Sequence, residues 1–262
     1  MPSSALQVAR TGLEAQDTRM RVIANNLANV STTAFKRDRA NFATLAYQDA
    51  RVAGAQSSNE TTYATGLNLG TGVGVQSTTR METQGSLNST GNSFDLALDG
   101  DGYFQVQLPG GELGYTRAGN FTRSSEGQLV TAQGYVVQPP ITIPEGMTSI
   151  TVSLDGTVSA QIAGQADPTQ LGQITVASFP TPAALQAASD NFMLETAASG
   201  PAQIGIAGQQ GRGNIKQGML EGSNVNIVEE LVDMIETQRA YEINSKMISA
   251  VDEMLKNANQ TL

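Results

Sequence analysis

"VIANNLANVSTTAFKRDR", residues 22–39, sets three asparagines into a stretch whose apolar residues otherwise follow a helix. Asparagine is a poor helix former, because its amide competes for nearby backbone groups. Asn25 and Asn29 stand four apart and share a face with Asn26 beside them, whereas Ile23, Leu27 and Val30 occupy another. An amide both donates and accepts, so such a face can bond side chains on adjacent helices. A solvated polar face is the plainer alternative. What this helix packs against decides the fold.

Upstream, apolar residues recur every seven positions at Leu6, Leu13, Met20 and Leu27. A second row at Ala9, Ile23 and Val30 is broken by Gln16. The spacing predicts an amphipathic helix with a narrow seam, ending near Ser31-Thr32-Thr33. The far end repeats the device at Ile227, Met234, Tyr241, Ile248, Leu255 and Leu262, with Leu231, Val251 and Ala258 widening the stripe. Asn224 or Asn226 is placed to cap its start, and Glu229, Glu230 and Asp233 suit the positive end of the helix dipole. Neither glycine nor proline interrupts residues 226–260, which predicts a helix roughly 50 Å long.

Between the two helices the period falls to two. "SITVSLDGTVSAQI" alternates Ile150, Val152 and Leu154 with polar residues, turns at Asp155-Gly156 and resumes at Val158, Ala160 and Ile162. That pattern reads as a β-hairpin with a two-residue turn. Residues 100–139 and 171–180 add further short strands, so a compact antiparallel β domain is expected over about 90–205. Residues 47–80 and 198–214 are rich in Gly, Ser and Thr and read as an extended arm and a flexible connection. The expected class is α+β: residues 1–35 are the N-terminal helix, 36–89 an arm, 90–205 the β domain, 206–224 a linker and 225–262 the C-terminal helix.

Composition narrows the function. The 262 residues carry a formal net charge of −9, which argues against a general affinity for nucleic acid or anionic lipid. There is no cysteine and no histidine, so a Ser-His-Asp triad, a thiol nucleophile and thiolate or imidazole metal sites are all excluded. No apolar run reaches the length of a membrane span, and the first residues lack the apolar core of a secretory signal. Asp99 and Asp101 in "LDGDGYF" lack the later oxygen ligands of a calcium loop and read as turn residues. Gly70, Gly72 and Gly74 lack a strand-turn-helix frame and a P-loop lysine. Glu229-Glu230 and Asp252-Glu253 read as a solvated helix face, and Lys36-Arg37 as surface or interface charge. No cofactor is expected.

Neither terminal helix can bury its seam alone. Charge favours contact between them. Residues 1–40 carry Arg10, Arg19, Arg21, Lys36, Arg37 and Arg39 against Glu14, Asp17 and Asp38, a net +3, and residues 221–262 carry a net −5. Two readings stay open: the helices close one molecule, or they dock onto neighbouring subunits.

"ANNLANVSTTAFKRDR" and "ETQRAYEINSKMISAVDEML" together resemble the paired terminal motifs of flagellar axial proteins, the family of rod and hook subunits. The likeness spans essentially the whole chain. Length, "YQDARVAGAQSSNETTYATGLNLGTGV" and "GSNVNIVEELVDMIETQRAYEINSK" are most similar to the distal-rod members. The resemblance implies a homo-oligomeric hollow helical tube that transmits torque and lines an export channel, with the terminal helices inside and the β domain outside. Another axial subunit, proximal rod or hook, is the alternative. A secreted adhesin with a helical stalk is a weaker one.

The resemblance further implies subunit contacts through Leu6, Leu13, Met20, Ile23, Asn25, Asn26, Leu27, Asn29, Val30 and Phe35. On the second helix it implies Ile227, Leu231, Met234, Arg239, Tyr241, Asn244, Ile248, Val251 and Leu255. Tyr47, Gln56, Ser57, Ser58 and Gly66 would belong to a rod-specific arm. Implied partners are proximal rod subunits, hook subunits, the L- and P-ring bushing proteins and the flagellar type III export apparatus, without nucleic acid or direct membrane insertion. The implied place is the basal body, across the periplasm toward the outer membrane, after export without a cleaved signal. One departure is Ala34, where the motif more often has glycine. Either this alanine is strained by a positive backbone angle, or the helix runs further.

Overall fold

The computed structural model describes residues 2–54, 56, 63–162 and 167–260, with side chains omitted at 2–4 and 258–260. Ser57, Ser58, Leu262 and the side chain of Ala258 therefore lie outside the description. A helix at each end flanks a central antiparallel β region, the α+β class that the patterns predict. The chain divides into two compact units. Met1–Ala28, Asp38–Arg80 and Asn226–Leu262 form one, and Asn29–Arg37 with Met81–Val225 form the other.

The first unit holds helix α1, Pro2–Ala28, and helix α2, Ile227–Gln260. The Asn226 side chain accepts the Val228 N–H at 3.1 Å, so Asn226 caps α2, and Glu229 and Glu230 follow in its first turn. The expected extended arm is paired β structure. Strand Asp38–Thr44 runs antiparallel to Val73–Arg80, with a bulge between Asn41 and Phe42, and Tyr47–Arg51 pairs with Leu67–Gly70. Glycine-rich composition hid these strands, because a ribbon with little burial carries no clean two-residue alternation. Gly72 has φ +124°, and a Cβ there would overlap the Thr11 hydroxyl, so the ribbon meets α1 where only glycine fits.

The second unit is a β body built around Tyr103–Gln107. This strand pairs with Leu113–Thr116 and with Thr175–Ser178, which continues to Gln203–Ile206. Both of its faces are covered. Phe104 and Val106 enter the main core with Leu96, Leu98, Phe121, Ile174 and Ile215, while Tyr103 packs in a second cluster with Tyr115 and Phe179. Phe104 and Phe121 meet edge to face at 5.2 Å. Residues 206–224, expected as a linker, contain strands Asn214–Gln217 and Met219–Glu221, which pair with Leu96–Asp99 and Leu87–Ser89. Asp99 and Asp101 flank a turn through Gly100, with Asp99 ion-paired to Lys216 at 2.8 Å.

The hairpin at residues 147–162 is present with one change. Met147–Val152 pairs with Thr157–Ile162, but Ser153 and Thr157 close a three-residue loop in which Gly156 takes φ +85°. Leu154 therefore lies in the turn, 60% exposed, instead of facing the core beside Ile150 and Val152. Leu154→Ser is accordingly expected to change stability by no more than about 0.5 kcal/mol. A core leucine would cost about 2–5 kcal/mol on truncation, and urea unfolding separates the two.

Helix α1 stops at Ala28, and Ala34 adopts φ 55°. The helix does not run on, and alanine occupies the left-handed region at a cost of roughly 1 kcal/mol. Val30 and Phe35, expected on the inner helix, lie beyond its end in the second unit. Lys36 is not a surface charge: it is 3% exposed and ion-paired to Glu221 at 2.6 Å.

Candidate functional site

Within the helical unit, α1 and α2 pack against each other in antiparallel order. Gly12 faces the Asn244 amide, Arg19 pairs with Asp233 at 3.2 Å and Asn26 reaches Glu230 at 3.2 Å, with numbers rising on one helix as they fall on the other. A Cβ on Gly12 would stand 3.1 Å from the Asn244 nitrogen, so the small residue sets close approach there. Hence the two helices close on one another within a single chain.

The three asparagines part company. Asn26 is 1% exposed and sits on the seam, three residues from buried Ile23. Its amide nitrogen donates to the Asp38 carbonyl at 2.9 Å and its oxygen accepts the Asp38 N–H at 2.9 Å. One side chain thus ties the end of α1 to the first residue of the ribbon and to Glu230 of α2. Asn25 is exposed, while Asn29, half-buried past the helix end, accepts the Thr32 hydroxyl at 3.1 Å. The expectation of a single asparagine face is corrected for Asn26. A buried amide that replaces a strand partner is an internal tie.

The α2 seam also differs from the seven-residue stripe. Glu230, Thr237 and Val251 are buried, and Asp233, Met234, Asn244, Ile248 and Leu255 are half-buried. Ile227, Leu231, Arg239 and Tyr241 are exposed. Thr237 fits the seam because its hydroxyl donates to the Asp233 carbonyl at 2.6 Å. On α1, Leu6, Leu13, Met20 and Leu27 are half-buried, and Tyr47, Gln56 and Gly66 of the arm are exposed.

Sequence periodicity missed a different row. Val228, Leu231, Val232 and Ile235, at i, i+3, i+4 and i+7, are 70%, 43%, 50% and 51% exposed. At 100° per residue they lie opposite Glu230 and Thr237. Over the first turns of α2, polar Glu230 and Thr237 are buried while four large apolar residues face outward. This inverts a solitary helical pair.

Terminal helices that pair across the whole chain, an inserted β body and an outward apolar row define a subunit of the axial-assembly class. Comparison with known proteins agrees. Residues 6–36 match the family "Flagella basal body rod protein", 97–160 "Flagellar hook protein FlgE/F/G D1 domain" and 216–261 "Flagellar basal body rod FlgEFG protein C-terminal". Flagellar basal-body rod protein FlgG of Buchnera aphidicola subsp. Acyrthosiphon pisum is 49% identical over 98% of this chain and 98% of its own. The proteins of that name from Caulobacter vibrioides and Borreliella burgdorferi are each 46% identical, over 98% and 97% of both chains. The chain belongs to the flagellar basal-body rod protein family and is a structural subunit of the rod.

Proposed function

We propose that the chain builds the distal segment of the rod as a hollow helical tube, with the helical unit as the inner layer and the β unit as the outer one. The outward row on α2 carries this reading. Four large apolar side chains in water forfeit roughly 25 cal/mol for each Å² left unburied, and a second copy of the chain would cover them. Subunit contacts then run through this row and through Leu6, Leu13, Met20, Asn25, Asn29, Ile227, Tyr241 and the other terminal residues of the axial motifs. The arm around Tyr47, Gln56, Ser57, Ser58 and Gly66 makes the rod-specific contacts.

In this reading the tube carries torque from motor to hook and conducts exported subunits. Proximal rod subunits join one end, hook subunits join the other, and the L- and P-ring proteins surround it. The flagellar type III apparatus delivers the chain to the periplasmic side. The role is structural and not catalytic, in keeping with a sequence that has no histidine or cysteine. Among the described residues, no helix is long and apolar enough to cross a membrane.

Exchanging Val228→Ser, Leu231→Gln, Val232→Ser and Ile235→Gln tests the reading. The purified variant is expected to keep the circular dichroism spectrum of the parent, each exposed change costing about 0.5 kcal/mol or less. Cells relying on it are expected to lose swimming and to carry basal bodies without a distal rod. Normal swimming would overturn the assignment of this row to assembly.

A further inference from the structure

In the β unit, every segment through which the chain arrives or departs converges on two side chains. These segments are Asn29–Arg37, the stretch beginning at Met81 and the stretch ending at Val225. Glu221 is 1% exposed and takes three donors: Lys36 Nζ at 2.6 Å and the Gly85 N–H at 2.9 Å on one oxygen, and Arg117 Nε at 2.9 Å on the other. Its own carbonyl accepts the Ala34 N–H at 2.8 Å. Lys36 also donates to the Thr83 carbonyl at 2.8 Å, and Arg117 anchors the cluster to the carbonyls of Gly100 and Gly102 at 2.8 and 3.3 Å.

Asn224 repeats the arrangement one layer on. Its oxygen accepts the Arg37 N–H at 2.7 Å, its nitrogen donates to the Met81 and Thr83 carbonyls at 2.8 and 3.0 Å, and its backbone N–H reaches the Phe35 carbonyl at 3.3 Å. Direct backbone bonds complete the weave, Met81 N–H to Arg37 carbonyl and Gly222 N–H to Ser86 carbonyl. Gly85 is required, since a Cβ there would overlap the Gly222 carbonyl oxygen.

We propose that this neck is an order boundary with Glu221 as its pin. The pin closes the β unit right up to the residues where the chain leaves it, so the helices can open, reorder and dock on a neighbour while the β unit stays shut. Charge-assisted bonds suit the task, being about twice as strong as neutral ones. A carboxylate with acceptor oxygens on both sides also holds two cations from different segments at once. A glutamine in its place has to turn an NH₂ toward Lys36 or Arg117, and donor then faces donor. Glu221 is a positioning residue, acting on the segments it joins.

Hydrogen exchange of the full-length chain, resolved by residue, tests this. In the unaltered protein the Ala34, Gly85, Gly222 and Asn224 amides are expected to exchange as slowly as those of Tyr103–Gln107, and more slowly than amides of α1 and α2. In Glu221→Gln the four neck amides are expected to fall within about tenfold of unprotected rates, while Tyr103–Gln107 remains slower by about a hundredfold or more. Asn224→Ala, which leaves the charges in place, should open Arg37 and Met81 in the same selective way. Neck and core amides losing protection by one common factor would overturn the proposal. So would neck amides that already exchange like those of the helices in the unaltered protein.

Discussion

Replacing Glu221 with leucine is expected to destabilise the β unit by about 3–5 kcal/mol, as buried ion pairs do when one partner is removed. Lys36 and Arg117 keep their charges among the Thr83, Gly100 and Gly102 carbonyls without the carboxylate that pairs them both, and the Gly85 N–H loses its acceptor. The urea midpoint, followed by far-ultraviolet circular dichroism, measures the loss. A triple variant adding Lys36→Met and Arg117→Met should recover most of it, because an apolar cluster of similar volume leaves no charge uncompensated. A single variant as stable as the parent would show that the cluster contributes nothing.

The same cluster sets a pH dependence. Burial pushes the Glu221 carboxyl up, but Arg117, the Lys36 hydrogen bond and the Gly85 N–H outweigh it and hold the group below its ordinary 4.5. A depressed carboxylate contributes fully above its unfolded pKa, and the contribution fades as pH falls through the folded value. The stability gap between the parent and Glu221→Gln should therefore be constant near neutrality and shrink below about pH 4.5. Lys36 shifts downward too, through its burial and the adjacent Arg117, with Glu221 pulling it back. Two cations share one carboxylate here.

The second large effect lies in the helical unit. Asn26→Leu removes both bonds to the Asp38 backbone and the bond to Glu230 in one step. Stranding partly buried polar groups of this kind costs about 1–3 kcal/mol for each, so a loss of roughly 2–4 kcal/mol is expected for the α1 end. Limited proteolysis should then cut near Ala28 much faster than in the parent, and Asn25→Leu, on an exposed position, should leave the cleavage rate unchanged. Equal rates for both variants would mean that Asn26 holds nothing in place.

How much of this was legible from sequence depends on what carries the signal. Both helices were, because a seven-residue apolar beat sustained over several turns has few other outcomes, and neither Gly nor Pro interrupts it over 226–260. The Asn226 cap was within reach as well, as one of two candidates. The phase of the α2 seam was not legible: Glu230 lies buried on a bond from distant Asn26 and Thr237 on one to the Asp233 carbonyl, and hydrophobic periodicity does not count polar residues as inward. For that reason the predicted stripe took in Leu231 of the outward row and passed over Val228, Val232 and Ile235.

Residues 47–80 looked like an arm because a ribbon with exposed faces has no alternation to read. Lys36 looked like surface charge because its partner Glu221 lies 185 positions away. Long-range ion pairs leave no trace in local pattern. Ala34 is the opposite case, where one departure from a familiar motif left two readings, and the structure takes the left-handed one at φ 55°.

The central claim is that the outward row of α2 is covered by a neighbouring copy in the rod. A chain without cysteine makes the test direct: Ile235→Cys introduces a single thiol, whose maleimide reaction is measured in the purified subunit and in isolated basal bodies. The account predicts rapid reaction in the subunit, where Ile235 is half exposed, and at least roughly tenfold slower reaction in the assembled rod, as expected of a site excluded from water at an interface. Equal reaction in both would contradict it.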